Sequence, residues 1–196
     1  AGGAAGGVGG ARVVRLTSPP TDFIFIKDAI SYRDGIFLFR NLTQLSGTVS
    51  FDRRRLLHAM RMSRNPILLP DCFYHVYNRG NNGETLFREA RNYSYFLTLY
   101  KRHADPLLEL HAYCLMGNHF HLLIRARALA VMDALRCRTD EGLRRLFIAY
   151  AMAFNSTYDR TGSLFEKPFH RKPLRNERQV LAVARYIHRN PIHHGF

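Results

Sequence analysis

Two histidines one residue apart, His119 and His121, interrupt the otherwise apolar run CLMGNHFHLLIR at residues 114–125. On a strand, side chains at i and i+2 share a face. The two imidazoles are therefore neighbours, and Phe120 points the other way, toward the expected core. Paired neutral imidazoles can chelate a divalent metal when a third ligand arrives from elsewhere. The alternative is a pair of surface histidines beside a turn, and spacing alone does not separate the two. A metal held by two or three protein ligands keeps open positions for a substrate oxygen. Cleavage of a phosphodiester at such a site also needs a nucleophile, either a water or a side-chain hydroxyl.

A hydroxyl of interest lies downstream in RRLFIAYAMAFNSTYDRTGSLF, where Tyr150 sits on an amphipathic helix among Leu146, Phe147 and Phe154. Taken alone, Tyr150 reads as a core aromatic. A phenol with a pKa of about 10 is a poor nucleophile while protonated. It becomes a useful one where a metal or nearby cations stabilise the phenolate. The spacing does not decide between these roles.

The elements that must position these residues are legible from periodicity and turn chemistry. CFYHVYNRG is a strand closed by a glycine turn, and REARNYSYFLTLYKRHAD carries Tyr95, Phe96, Leu99 and Tyr100 at helical spacing. LLELHAYCLMG and HFHLLIRA are two strands joined by a tight Gly-Asn turn. A short helix, ALAVMDALRC, precedes a longer one over TDEGLRRLFIAYAMAFNSTY, opened by Thr139 or Asp140. GSLFEKPFHRKPL is a loop and strand, and NERQVLAVARYIHRN a last helix stopped by Pro191. The β-α-β-β-α order predicts an α+β, ferredoxin-like sandwich, with an antiparallel sheet and helices on one face.

Upstream, residues 1–20 are Gly/Ala-rich and read as a flexible tail. The strings FIFI and GIFLF suggest a small hairpin, and RRRLLHAMRMSRNP is a charge cluster. The division expected is an N-terminal extension over 1–59, largely flexible and without assigned function, and a domain over 60–196.

The 196 residues carry 29 Lys+Arg against 15 Asp+Glu, a formal charge of +14, which favours a polyanionic partner such as nucleic acid. The three cysteines, Cys72, Cys114 and Cys137, are too far apart for a Cys-x-x-Cys site and odd in number for a disulfide framework. Reduced thiols in a cytoplasmic protein fit this usage. No apolar run approaches a membrane span, and the N-terminus lacks the regions of a signal peptide.

Four segments together, YHVYNRGNNGETLF, AYCLMGNHFHLLIR, AYAMAFNSTYDRTGSLFEKPF and YIHRNPIHHGF, resemble the REP-associated tyrosine transposases. These are single-domain relatives of insertion-sequence transposases in the HUH endonuclease superfamily. The resemblance covers roughly residues 72 to 196, in the family's order. It implies metal-dependent nicking and joining of single-stranded DNA through a 5′-phosphotyrosyl intermediate and a free 3′-hydroxyl, acting on hairpins of repetitive palindromes. His119 and His121 fall on the family's metal-binding pair, with Mg²⁺ or Mn²⁺ as the implied ion. Tyr150 falls on the nucleophile. Asn155, on the tyrosine helix, is the polar candidate for a third ligand, although five residues place it about 140° around the helix from Tyr150.

Basic residues around these motifs are the expected DNA contacts: Arg79, Arg125, Arg127, Arg160, Lys167, Arg171 and Lys172. As a set they would supply salt-dependent backbone affinity. Tyr158 reads as structural, Tyr113 and Tyr186 as packing residues, and Tyr74 and Tyr77 as core aromatics with base stacking as the other option. A chain of this kind is a monomer or a homodimer.

Residues 1–59 have no counterpart in the resemblance, which would place a start near Met60 or Met62. At the other end the family continues into a Trp-Ser-Ser segment, whereas this sequence contains no Trp, so a shortened C-terminus is expected. Two further readings stand beside the enzyme: a catalytically inactive DNA-binding relic, and a nucleic-acid-binding ferredoxin-like module with an incidental His-x-His.

Overall fold

A computed structural model describes residues 29–32, 35–39, 68–128 and 140–193, the first two segments and His193 as backbone only. The Gly/Ala tail, the charge cluster at residues 53–66, nearly all of the short helix expected over 128–137, Thr139 and Cys137 lie outside these residues. The described strands are β1 (Ala29–Tyr32), β2 (Gly35–Phe39), β3 (Phe73–Arg79), β4 (Leu108–Met116), β5 (His119–Ala126) and β6 (His170–Leu174). Three helices accompany them: α1 (Ala90–Leu99), α2 (Glu141–Thr157) and α3 (Glu177–His193). The strands form one antiparallel sheet in the order β1-β2-β4-β5-β3-β6. The α+β class and antiparallel sheet are as expected. The sheet also crosses the expected boundary at residue 59, because β2 pairs with β4, Gly35 opposite Met116 and Phe39 opposite Ala112. Its hairpin partner is Ala29–Tyr32, and the FIFI string lies outside the described residues.

Strand alternation sorts the side chains into two cores. Tyr74, Val76, Tyr113, Leu115, Phe120, Leu122 and Ile124 pack on one face against α1 and α2, with Tyr93, Phe96, Leu99, Leu146, Phe147, Tyr150 and Phe154. Phe73, Ala112, Cys114, Met116, Leu123 and Leu174 pack on the other against Val180, Ala184 and Ile187 of α3. Helices thus cover both faces, where the sequence suggested one. The cause is the apolar stripe of α3, whose spacing of four and then three residues requires its own sheet face to bury it. That helix also continues through Pro191 to His193 instead of stopping before it. On α1 the buried stripe is Tyr93, Phe96 and Leu99, so Tyr95 is turned outward.

Two glycines are required by close approach. A Cβ on Gly142, at the start of α2, would lie 2.6 Å from the His103 carbonyl oxygen, so α2 abuts the turn after α1 only because that side chain is missing. A Cβ on Gly80 would lie 2.0 Å from the Glu84 carbonyl oxygen. Gly80 opens the loop that connects β3 to α1 and runs alongside the β4–β5 turn: Gly80 N–H donates to Asn118 O at 2.8 Å, and Leu86 and Phe87 N–H both donate to Gly117 O, at 2.7 and 2.9 Å.

Candidate metal and nucleophile site

His119 and His121 project from the start of β5 onto the α3 face. Cross-strand partners share that face, so Met116 and Arg79 flank His119, and Cys114 and Tyr77 flank His121. The Nδ1 atoms of both imidazoles are engaged within the protein. That of His119 lies 2.8 Å from Asn118 Oδ1. That of His121 lies 3.0 Å from Nε2 of His75, which sits two residues before Tyr77 on β3. His121 is buried to 8% exposure, and His75 is buried enough that its pKa is pushed down to about 4, burial first and the Lys172 ammonium second. A neutral His75 is the state that can accept a hydrogen bond from His121.

From the helix side, α3 lowers two residues onto this pair. Asn190, 2% exposed, brings its Oδ1 to 3.4 Å from His119 Nε2 and accepts from the Cys114 thiol at 3.8 Å. Burial pushes that thiol up to about 12, so it remains a donor. One turn earlier, Tyr186 lies with its ring 5.2 Å from His121 and 6.0 Å from His75, and is 44% exposed. Tyr186 and Asn190 are four residues apart, about 40° around the helix, and so work on one face. Beside them Tyr77 stacks on His170 at 5.0 Å with the Lys172 ammonium 5.7 Å from its ring. Arg185 and Arg189, the neighbours of this helix face, are exposed.

Tyr150 is elsewhere. It is 1% exposed in the other core, against Phe87, Phe96, Phe154 and Phe165, and its hydroxyl donates to Leu86 O at 2.7 Å. Burial raises its pKa well above the ordinary phenol value. The sheet, with Phe120 on the Tyr150 side, stands between it and the histidines. A groove of about 430 Å³ between α1 and α2 is lined in part by Tyr150, Arg91 and Tyr95, again on the face away from the histidines. The structure therefore does not bring Tyr150, the expected nucleophile, to the histidine pair: strand parity puts them on opposite faces of the sheet. The reading of Tyr150 from its own helix, as a core aromatic, matches the geometry.

Asn155, the expected third ligand, is not brought to the pair either. Its Nδ2 donates to Gly162 O at 2.9 Å and its Oδ1 accepts from Arg160 at 2.9 Å, which ties down the turn after α2. Of the basic residues expected at a DNA surface, the structure brings Lys172 and Arg79 to the histidine face. Arg79 pairs with Glu166 at 2.6 Å. Arg125 pairs with Asp71 at 3.1 Å on the same face, further along the strand. Arg160 is held by Glu84, Asn155 and the Ser163 carbonyl as a latch between loops. Arg127 donates to the Asp105 carbonyl at 3.0 Å, and Arg171 approaches Asp140 at 3.9 Å and the Phe169 ring. Lys167 lies exposed in the loop before β6.

The residues missed in the sequence are Tyr186, Asn190 and His75. Asn190 carried a signal: it continues the buried stripe of Val180, Ala184 and Ile187, where a polar side chain is an anomaly needing a partner.

No protein-family model and no curated protein sequence matches this chain. Among solved structures, the fold matches that of a REP-associated tyrosine transposase bound to a REP hairpin, with a TM-score of 0.50 at 13% identity over 68% of this chain and 74% of that one. This chain therefore has a transposase-like α+β fold. Among the described residues, no helix is long and apolar enough to cross a membrane.

Proposed function

We propose that this protein nicks and rejoins single-stranded DNA at hairpins, with Tyr186 as the nucleophile and His119, His121 and Asn190 as the holders of a divalent cation. The observation that carries the proposal is the convergence of an exposed phenol, two imidazoles and a buried amide oxygen on one sheet face beside basic side chains. The likeness of fold to a transposase bound to a DNA hairpin supports it.

The donor set fits a cation. A neutral imidazole has one N–H, yet both ring nitrogens of His119 face amide oxygens, at 2.8 and 3.4 Å. If Nδ1–H serves Asn118, then the Nε2 lone pair and Asn190 Oδ1 face one another as two electron donors, an arrangement that a shared cation resolves. Orientation of a ligating histidine through its other nitrogen is the usual arrangement at metal sites. Among the described residues no group of three His, Cys, Asp or Glu is placed to hold a metal, so the third donor is an amide oxygen. That mixture of imidazole and oxygen suits Mg²⁺ or Mn²⁺ better than a closed thiolate site would. Such an ion would polarise a nonbridging phosphate oxygen and offset the charge that develops on it.

The chain's own residues do the rest. Tyr186, open to solvent, gives up its proton and its phenolate oxygen attacks phosphorus. The bond from phosphorus to the 3′ oxygen breaks, that oxygen takes up a proton, and the 5′-phosphate remains on Tyr186. Attack by a 3′-hydroxyl reverses these steps, so joining needs no nucleotide cofactor. Lys172, Arg185 and Arg189 supply positive charge along the backbone path.

The test is covalent capture. A single-stranded oligonucleotide ending in a hairpin, incubated with Mn²⁺, gives a protein–DNA adduct that survives denaturing electrophoresis. Tyr186→Phe abolishes the adduct and leaves DNA binding intact, whereas Tyr150→Phe still forms it at saturating metal. An adduct that persists in Tyr186→Phe overturns the assignment. Binding without adduct in the wild-type chain, under either metal, would leave the DNA-binding relic instead.

A further inference from the structure

Tyr150 lies in the wrong core for chemistry, yet its hydroxyl is one end of a path of hydrogen bonds and peptide links that leads to His119. The path runs through the loop between β3 and α1. Tyr150 O–H donates to Leu86 O at 2.7 Å. Leu86 C=O and Phe87 N–H belong to the same rigid peptide plane, and they point in opposite directions. Fixing the carbonyl toward Tyr150 therefore aims the Phe87 N–H at Gly117 O, which it meets at 2.9 Å with Leu86 N–H beside it at 2.7 Å. Gly117 O lies in the peptide unit before Asn118. The unit after it is pinned as well, because Asn118 O accepts from Gly80 N–H at 2.8 Å. With both flanking planes held, Asn118 has its backbone fixed, and its Oδ1 reaches His119 Nδ1 at 2.8 Å.

We infer that Tyr150 is a positioning residue for the histidine turn: through the Leu86–Phe87 peptide and Gly117 it fixes Asn118, and Asn118 sets the tautomer of His119. An acceptor on the Nδ1 side of His119 keeps the proton there and so presents the Nε2 lone pair to the cation site. The groove side of Tyr150 adds nothing to this role. What matters is the hydroxyl, which donates to the carbonyl of a fully buried Leu86, so that its removal leaves that acceptor short of a donor. The role of the His119 tautomer in metal capture rests on the proposed site; the positioning itself does not.

The experiment compares wild-type protein with Tyr150→Phe, which keeps the ring and removes the hydroxyl. Side-chain nitrogen NMR on ¹⁵N-histidine protein reads the tautomers, amide exchange reads the Phe87 N–H, and a Mn²⁺ titration reads affinity. Expected in Tyr150→Phe are exchange at Phe87 faster by about tenfold, loss of the single Nδ1–H signature at His119 with His75 unmoved, and Mn²⁺ affinity lower by about tenfold. A merely structural role would lower amide protection throughout while leaving the His119 signature in place, and that outcome overturns the inference. Should Tyr150→Phe fail to fold, Asn118→Ala, at the turn surface, tests the last link, and an unchanged His119 signature there overturns it equally. A wild-type chain that takes up no Mn²⁺ removes the metal reading, while the tautomer and exchange measurements still decide this one.

Discussion

The neutral His75 at the centre of the site makes the stability of the fold depend on pH in a window that can be calculated. Its imidazole is held at about pKa 4 by burial, with the Lys172 ammonium adding to the effect, against 6.5 in an unfolded chain. The folded state therefore resists a proton that the unfolded state accepts below pH 6.5. By linkage, the stabilisation is complete above pH 6.5 and is lost as pH falls toward 4. The loss reaches about 2 kcal/mol at pH 5 and about 3 kcal/mol at pH 4. Urea unfolding in the presence of a chelator, at half-unit steps from pH 7.5 to 4.5, measures it. His75→Gln is the control, since a glutamine can still hydrogen-bond His121 Nδ1 but does not titrate. The difference in unfolding free energy between wild type and variant should shift by about 2 kcal/mol against the wild type between pH 7 and pH 5. Exposed histidines cancel in that difference, and Glu141, held down to about 2 by Arg144 and Arg145, titrates below the window. A difference that stays flat across the window would refute the claim that His75 is buried neutral against His121.

Other perturbations separate the two faces of the sheet. Asn190→Ala should weaken Mn²⁺ binding by at least about tenfold, whereas Asn155→Ala should leave it unchanged and cost about 1 kcal/mol in unfolding free energy through the turn after α2; a calorimetric titration of both variants distinguishes them. Gly80→Ala forces its Cβ onto the Glu84 carbonyl, and chemical denaturation should report a loss of about 3 kcal/mol, since no flexible side chain is available to yield. Cys114, with its thiol pushed up to about 12 and no exposed surface, should react with iodoacetamide at pH 8 about a thousandfold more slowly in the folded than in the unfolded chain, as peptide mapping would show.

The contrast between Tyr150 and Tyr186 shows how far sequence reasoning reaches. Periodicity placed the β4–β5 hairpin, the three long helices and the shared face of His119 and His121, because each depends on local alternation or turn chemistry. What local pattern does not contain is which sheet face a distant helix covers. For Tyr150 the carry-over from family resemblance conflicted with the helix's own stripe, in which Leu146, Phe147, Tyr150 and Phe154 are all buried. A residue inside the apolar stripe points into the core its helix serves, and Phe120 joins that same core, so Tyr150 cannot also face the residues on either side of Phe120. For Tyr186 the logic runs in reverse. It stands one position off the Val180–Ala184–Ile187 stripe, at the margin where a ring can touch the sheet and still meet solvent. Two polar anomalies then identify the site from opposite sides: imidazoles on a strand that should be apolar, and an amide on a helix stripe that should be apolar. Burying either alone would cost the desolvation of an unpaired polar group. Placed face to face, at 3.4 Å between His119 Nε2 and Asn190 Oδ1, each gives the other a polar neighbour, and the Tyr186 ring stands one turn away at the margin of the face, 5.2 Å from His121.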